Sequence, residues 1–99
     1  MSSERLEGTD PDGRPVVLDE RTIRHLHSRR PQMLGHTAAI LDAVSRPDLR
    51  EDDPAPGRER FYRHDLDHRR WLRVVVDFNE SPAFVVTAFV QDNAPETTP

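Results

Sequence analysis

Residues 70–91, RWLRVVVDFNESPAFVVTAFVQ, decide the reading of the fold. Two runs dominated by β-branched and aromatic residues, Arg70–Phe78 and Ala83–Gln91, flank the turn-forming NESP at Asn79–Pro82. That composition favours strands, and so short a connection makes the two strands antiparallel neighbours. Successive side chains of a strand point to opposite faces, so a shared apolar parity marks the buried side. Leu72, Val74, Val76 and Phe78 form such a set in the first run, and Phe84, Val86, Ala88 and Val90 in the second. Arg73 and Thr87 are then expected side by side on the opposite face.

Working outward, Glu59–Asp65 (ERFYRHD) reads as a third strand of the same meander, joined through a turn at Leu66–Arg69. Its buried face is undecided, because Phe61 with Arg63 alternates against Tyr62 with Arg60 and His64. Residues 48–58, after Pro47, read as a Pro-rich acidic loop. Upstream, a helix is expected from about Met33 to Ser45, with Leu34, Thr37, Ala38, Leu41 and Val44 on one side, Ile40 beside them, and Arg46-Pro47 as its stop. An earlier helix should run from about Glu20 to Ser28, capped by Asp19 and ended near Pro31. Ile23 and Leu26 anchor its apolar side, in line with His27 and Arg30. Pro15–Leu18 reads as a short strand. The expected class is α+β: a short N-terminal strand, two helices, and a three-stranded antiparallel meander packed on them.

Ninety-nine residues suffice for one domain. Mean hydropathy is −0.78, low for a globular chain, but the apolar residues concentrate between Val16 and Val90. The organisation expected is therefore a disordered arm over 1–14, a single domain over 15–91 and a disordered tail over 92–99. No cysteine is present, which excludes disulfides and thiolate chemistry. No run approaches the ~18 apolar residues of a membrane span, and the first residues lack the basic start and apolar run of a signal peptide. A cytoplasmic protein with no membrane partner is expected.

All 14 basic residues are arginine. A GC-rich genome accounts for that more readily than selection for bidentate phosphate contacts does. Their distribution says more than the net charge of −4. Residues 21–50 and 58–73 together hold 12 of the 14, between acidic segments. If those two blocks meet in space, an acidic protein carries one basic face suited to phosphate.

Several side chains could carry chemistry. His25 stands on the polar flank of the first helix with Arg29 one turn away, and an imidazole can take and give protons near neutral pH. A lone helical histidine is nonetheless more often structural or merely exposed, and Arg29 and Arg30 alone would be ordinary solvated charges. Thr87 by itself is an ordinary sheet threonine. His25 and His27 point apart on a helix, so they make a poor metal pair; His64 and His68, with Asp65 and Asp67, could gather at a hairpin turn.

The strings IRHLHSRRP at 23–31, AVSRPDL at 43–49, FYRHD at 61–65, WLRVVVDF at 71–78 and FVVTAFVQ at 84–91, in that order, resemble the phage-associated branch of the barnase–EndoU–colicin–RelE-like nucleases. The likeness spans roughly residues 16–91. It implies a RelE/barnase-like fold and a small endoribonuclease, a toxin or phage-derived effector that needs no metal or other cofactor. In that chemistry the ribose 2′-OH attacks its own phosphate and leaves a 2′,3′-cyclic end. The resemblance implies His25 as general acid or base, with Arg73 and Thr87 completing the catalytic set at the phosphate. Arg29, Arg30 and Arg63 would hold RNA phosphate, and Tyr62 would stack a base or assist proton transfer. The implied partners are RNA, such as tRNA or mRNA, and a protein inhibitor or antitoxin. The chain departs from the family at Arg30, where many members carry a second histidine. The alternative is a non-catalytic RNA- or protein-binding domain of the same fold. A plain interaction module or antitoxin fits less well, since no DNA-binding motif is visible.

Overall fold

A computed structural model describes residues 5–30, 35–66 and 70–92, and not the side chains of 65 and 66. The described elements are β1 (Arg5–Thr9), β2 (Pro15–Asp19), α1 (Glu20–Arg29), α2 (Thr37–Ser45), β3 (Leu49–Asp52), β4 (Arg58–Leu66), β5 (Arg70–Asp77) and β6 (Ala83–Gln91). The strands form one six-stranded sheet in the order β1-β2-β6-β5-β4-β3. β2 runs parallel to β6, through Val16 opposite Ala83 and Val17 opposite Phe84, and every other neighbouring pair is antiparallel. The class is broadly α+β, but the expected short strand with a three-stranded meander is corrected to a six-stranded mixed sheet.

Two strands lie where irregular chain was expected. β1 occupies part of the supposed N-terminal arm. Its cause is the sequence Asp10-Pro11-Asp12-Gly13, in which proline presets the turn and Gly13 takes φ +84°. The Gly13 amide donates to the Asp10 carbonyl at 3.0 Å and closes the hairpin onto β2. β3 occupies part of the supposed acidic loop and pairs with β4, Leu49 opposite Tyr62 and Glu51 opposite Arg60. Its Glu51 is matched by Arg60 of the neighbouring strand, so it pairs without an apolar pattern.

Both helices pack on one face of the sheet. The shared core holds Val16, Leu18, Ile23, Leu26, Ile40, Ala43, Val44, Phe61, Leu72, Val74, Val76, Ala83, Val85 and Ala88, with Phe78 and Val90 packed against it. The parity expected for β5 holds. In β6 it holds only from Ala88 onward, because the register shifts: Val75 faces Thr87, while Val76 faces Val85. Val86 is the extra residue of this β-bulge, so Ala83 and Val85, not Phe84 and Val86, reach the core. Phe61 settles the face of β4, being fully buried on the helix side. On α2 the buried stripe is Ile40, Ala43 and Val44; Ala38 is exposed, and the expected Met33–Leu34 start lies outside the described residues.

The β1–β2 turn reaches across to the far side of the sheet. Asp10, with its side chain wholly buried, accepts from the Arg14 amide at 2.7 Å and pairs with the Arg14 guanidinium at 2.6 Å. Arg14 also pairs with Glu59 of β4 at 2.8 Å, and Arg50 of β3 with Asp12 at 3.0 Å. The loop beside one edge strand is thus clasped to the other edge by ion pairs.

Candidate functional site

α1 begins where Asp19 Oδ1 accepts from the Thr22 amide at 2.9 Å, an N-cap that satisfies one orphan donor of the first turn. Ile23 and Leu26 turn into the core, which leaves Arg21, Arg24, His25, Ser28 and Arg29 exposed on the opposite side. The Arg30 amide closes the helix on the Leu26 carbonyl at 2.7 Å. His27 is half-buried, and its Nε2 has no hydrogen-bond partner among the described residues.

Charge pairing separates the arginines into two groups. Arg5, Arg14, Arg46, Arg50, Arg58, Arg60, Arg63 and Arg70 each contact a carboxylate within 4 Å. Among the described residues no such contact is made by Arg21, Arg24, Arg29, Arg30 or Arg73. Four of these five lie on α1 and its C-cap.

The fifth joins them through a ring. On the face of the sheet away from the helices, Tyr62, Arg73 and Phe89 stand in register on β4, β5 and β6. The Arg73 guanidinium carbon lies 5.0 Å from the centre of the Phe89 ring and 5.8 Å from that of Tyr62. The Arg30 guanidinium approaches the same Phe89 ring to 5.2 Å. All three separations are within cation–π range. Two cations beside one ring are no more than about 10 Å apart, roughly one Debye length at physiological salt. The two basic blocks of the sequence do meet, through Arg30 and Arg73. Arg73 Nε is buried and has no hydrogen-bond acceptor among the described residues.

The remaining expected site residues are placed differently. Tyr62 is buried, and its hydroxyl donates to Glu51 Oε1 at 2.5 Å, so its ring is not free to stack a base. Burial first, and then Glu51, push the Tyr62 hydroxyl above its ordinary pKa, which unsuits it to proton transfer near neutrality. Arg63 stands opposite Leu72 on the helix side, paired with Asp42 at 3.2 Å and donating to the Arg46 carbonyl, so it belongs to the fold and not to the basic face. Thr87 is half-buried opposite Val75, on the same face as Arg73 and one row from it. His25 is exposed at the α1 surface and makes no hydrogen bond to Arg73 or Thr87. The structure thus brings together Arg30, Arg73 and Phe89, keeps His25 and Arg29 on the exposed side of α1, and leaves Arg63 out.

Sequence reasoning passed over Arg21, Arg24, Phe89 and the pair His64–Trp71, whose rings stack with centres 4.6 Å apart and 29° between planes. The signal was the parity of β5, which places Trp71 with Arg73. Among the described residues no three His, Asp or Glu side chains are gathered to hold a metal; the turn histidine His68 and Asp67 lie outside them. A cavity of about 560 Å³ along β1, β2 and Ser81–Pro82 has Glu7 as its one charged lining residue, the wrong sign for phosphate. Compared with family models, with curated proteins and with solved structures, the chain finds no match in any of the three.

Proposed function

We propose that the protein binds RNA through its phosphate backbone, on the exposed side of α1 and the adjoining Arg73–Phe89 row. The observation that carries this reading is that, among the described residues, the five arginines without carboxylate contacts lie on α1 and its C-cap and at Arg73, with Arg30 and Arg73 meeting over the Phe89 ring. In a chain with net charge −4 there are acids enough to pair them. Leaving like charges together raises the energy of the free protein, and an anion that bridges them relieves it. Guanidinium groups suit that role, since their planar fork matches phosphate oxygens. The likeness of residues 16–91 to small ribonucleases supports RNA as the polyanion.

A second reading, metal-independent cleavage of the bound RNA, is favoured by the place of His25, one turn from both Arg21 and Arg29 on the exposed face. In this reaction the ribose 2′-oxygen bonds to phosphorus as the bond from phosphorus to the 5′-oxygen breaks. One proton leaves the 2′-OH and one reaches the departing 5′-oxygen. His25 moves one of them, and the arginines stabilise the charge of the pentavalent phosphate.

Binding of end-labelled RNA measured against salt tests the first reading. Log affinity should fall with log salt at about −0.7 per phosphate neutralised. Arg30→Ala and Arg73→Ala should each flatten that slope by roughly one contact. A flat salt response, or an unchanged slope in the double variant, overturns it. Incubation in EDTA tests the second reading. Wild type should leave 2′,3′-cyclic ends, and His25→Ala should cut the rate by about 10²–10⁴. Equal cleavage by both proteins removes His25 from the chemistry.

A further inference from the structure

The face of the sheet opposite the helices carries a second kind of group beside its arginines. Two rows run across β4, β5 and β6: His64, Trp71 and Gln91 in one, Tyr62, Arg73 and Phe89 in the next. Rows two residues apart along a strand are separated by about 6.6 Å. In the first row the exposed His64 imidazole lies stacked on the half-buried Trp71 indole, and among the described residues no other ring stacks on it. In the second, Phe89 is half-buried with two guanidinium groups beside it. No helix packs on this face among the described residues, because both helices contribute to the core on the other side.

Rings at this spacing, with cations between them, match what an unpaired strand offers: bases with open π faces, joined by phosphates. Stacking of that kind is tolerant of sequence, since every base has such a face. A duplex cannot use it, because its bases are already stacked on one another. We propose that this sheet face is a stacking platform for single-stranded nucleic acid. One base continues the His64–Trp71 stack, a second lies against Phe89, and Arg73 and Arg30 hold the intervening phosphate. The inference rests on the reading of the α1–Arg73 face as a phosphate-binding surface, and it adds what selects single strands over other polyanions.

Trp71 is the one tryptophan of the chain, so its emission reports on the platform directly. The full chain should be titrated with a ten-nucleotide oligoadenylate, with an RNA duplex of the same length, and with inorganic polyphosphate. The single strand should quench Trp71 saturably, and the other two should leave it unchanged. His64→Ala, a surface substitution, should weaken oligoadenylate binding about five- to a hundredfold, the value of one stacked base. Phe89→Leu, which keeps an apolar side chain, should do the same, and neither should alter polyphosphate binding. If all three polyanions bind in a salt-dependent way and Trp71 does not respond, or if the duplex binds as tightly as the single strand, the platform is wrong and the phosphate-binding reading stands. If none of the three binds, both readings fall together.

Discussion

The Tyr62 hydroxyl and Glu51 carboxylate, 2.5 Å apart, each alter the other's titration. Tyr62 holds Glu51 below the ordinary carboxylate range, and Arg60, at 3.2 Å, adds to the effect. Tyr62→Phe keeps the ring and deletes the donor. It should cost about 1.5–3 kcal/mol, the value of a hydrogen bond to a charged acceptor. The sign with pH follows from the direction of the shift. A carboxylate with a depressed folded pKa contributes stability above its unfolded value, here 4.5, and loses it as pH falls through the folded one. The gap between wild type and Tyr62→Phe should therefore be full at pH 7 and shrink in acid. Urea unfolding of both proteins at pH 7 and pH 3 checks this, and a gap that widens in acid contradicts the assignment.

Among the elements, the β1–β2 hairpin depends on a single buried carboxylate. Asp10 receives the Arg14 and Asp12 amides and the Arg14 side chain, at 2.7, 3.1 and 2.6 Å. Asp10→Ala strands those donors and frees Arg14 and Arg50 from their anchor. The cost should be about 2–4 kcal/mol, below the 3–5 typical of a fully buried pair, because Arg14 is partly in water. Amide hydrogens of β1 should exchange faster than those of β5, and equal protection of both would show that the hairpin needs no clasp. This hairpin also marks where the sequence was legible. The Asp19 cap, the helical repeat of Ile23 and Leu26, and the alternation of Leu72, Val74 and Val76 each name an element, because burial imposes a period on it. β1 and β3 have almost no apolar side chains, so only the Pro-Asp-Gly turn and the Glu51–Arg60 pairing give them away. The parallel contact of β2 with β6 leaves no local signal at all, and the bulge at Val86 breaks a parity that looks continuous. On the candidate face, Arg73 was legible from alternation. Arg30 was named from its basic block and the resemblance, but Phe89 was not legible, because its meeting with Arg30 depends on how α1 lies along β6.

At the scale of the whole molecule, acids do two jobs: among the described residues they neutralise eight arginines, and they fix the sheet. Asp12, Glu51, Asp53 and Asp77 are all held below their ordinary pKa, chiefly by Arg50, by Tyr62, by Arg60 and by the Asn79 amide respectively. All four shifts have the same sign, so their contributions to stability vanish together in acid. The urea midpoint should be level from about pH 8 to pH 5 and drop below about pH 4. Added salt should lessen the drop, because these groups are near water and their ion pairs are screened. A midpoint that rises in acid would contradict the pairing scheme.

The parallel pairing of Val16 and Val17 with Ala83 and Phe84 has a consequence for how the protein comes to be made. β2 carries three consecutive buried residues, Val16, Val17 and Leu18, yet its partner on one side, β6, is synthesised long after it. Until then this apolar strand has one open edge, and the core around α1 lacks Ala83, Val85 and Ala88. Contacts between distant parts of a chain are slow to form, since loop closure comes before any reward. The nascent protein must therefore wait for β6, and over that interval it offers β2 to any chaperone or neighbouring chain that pairs with an exposed strand.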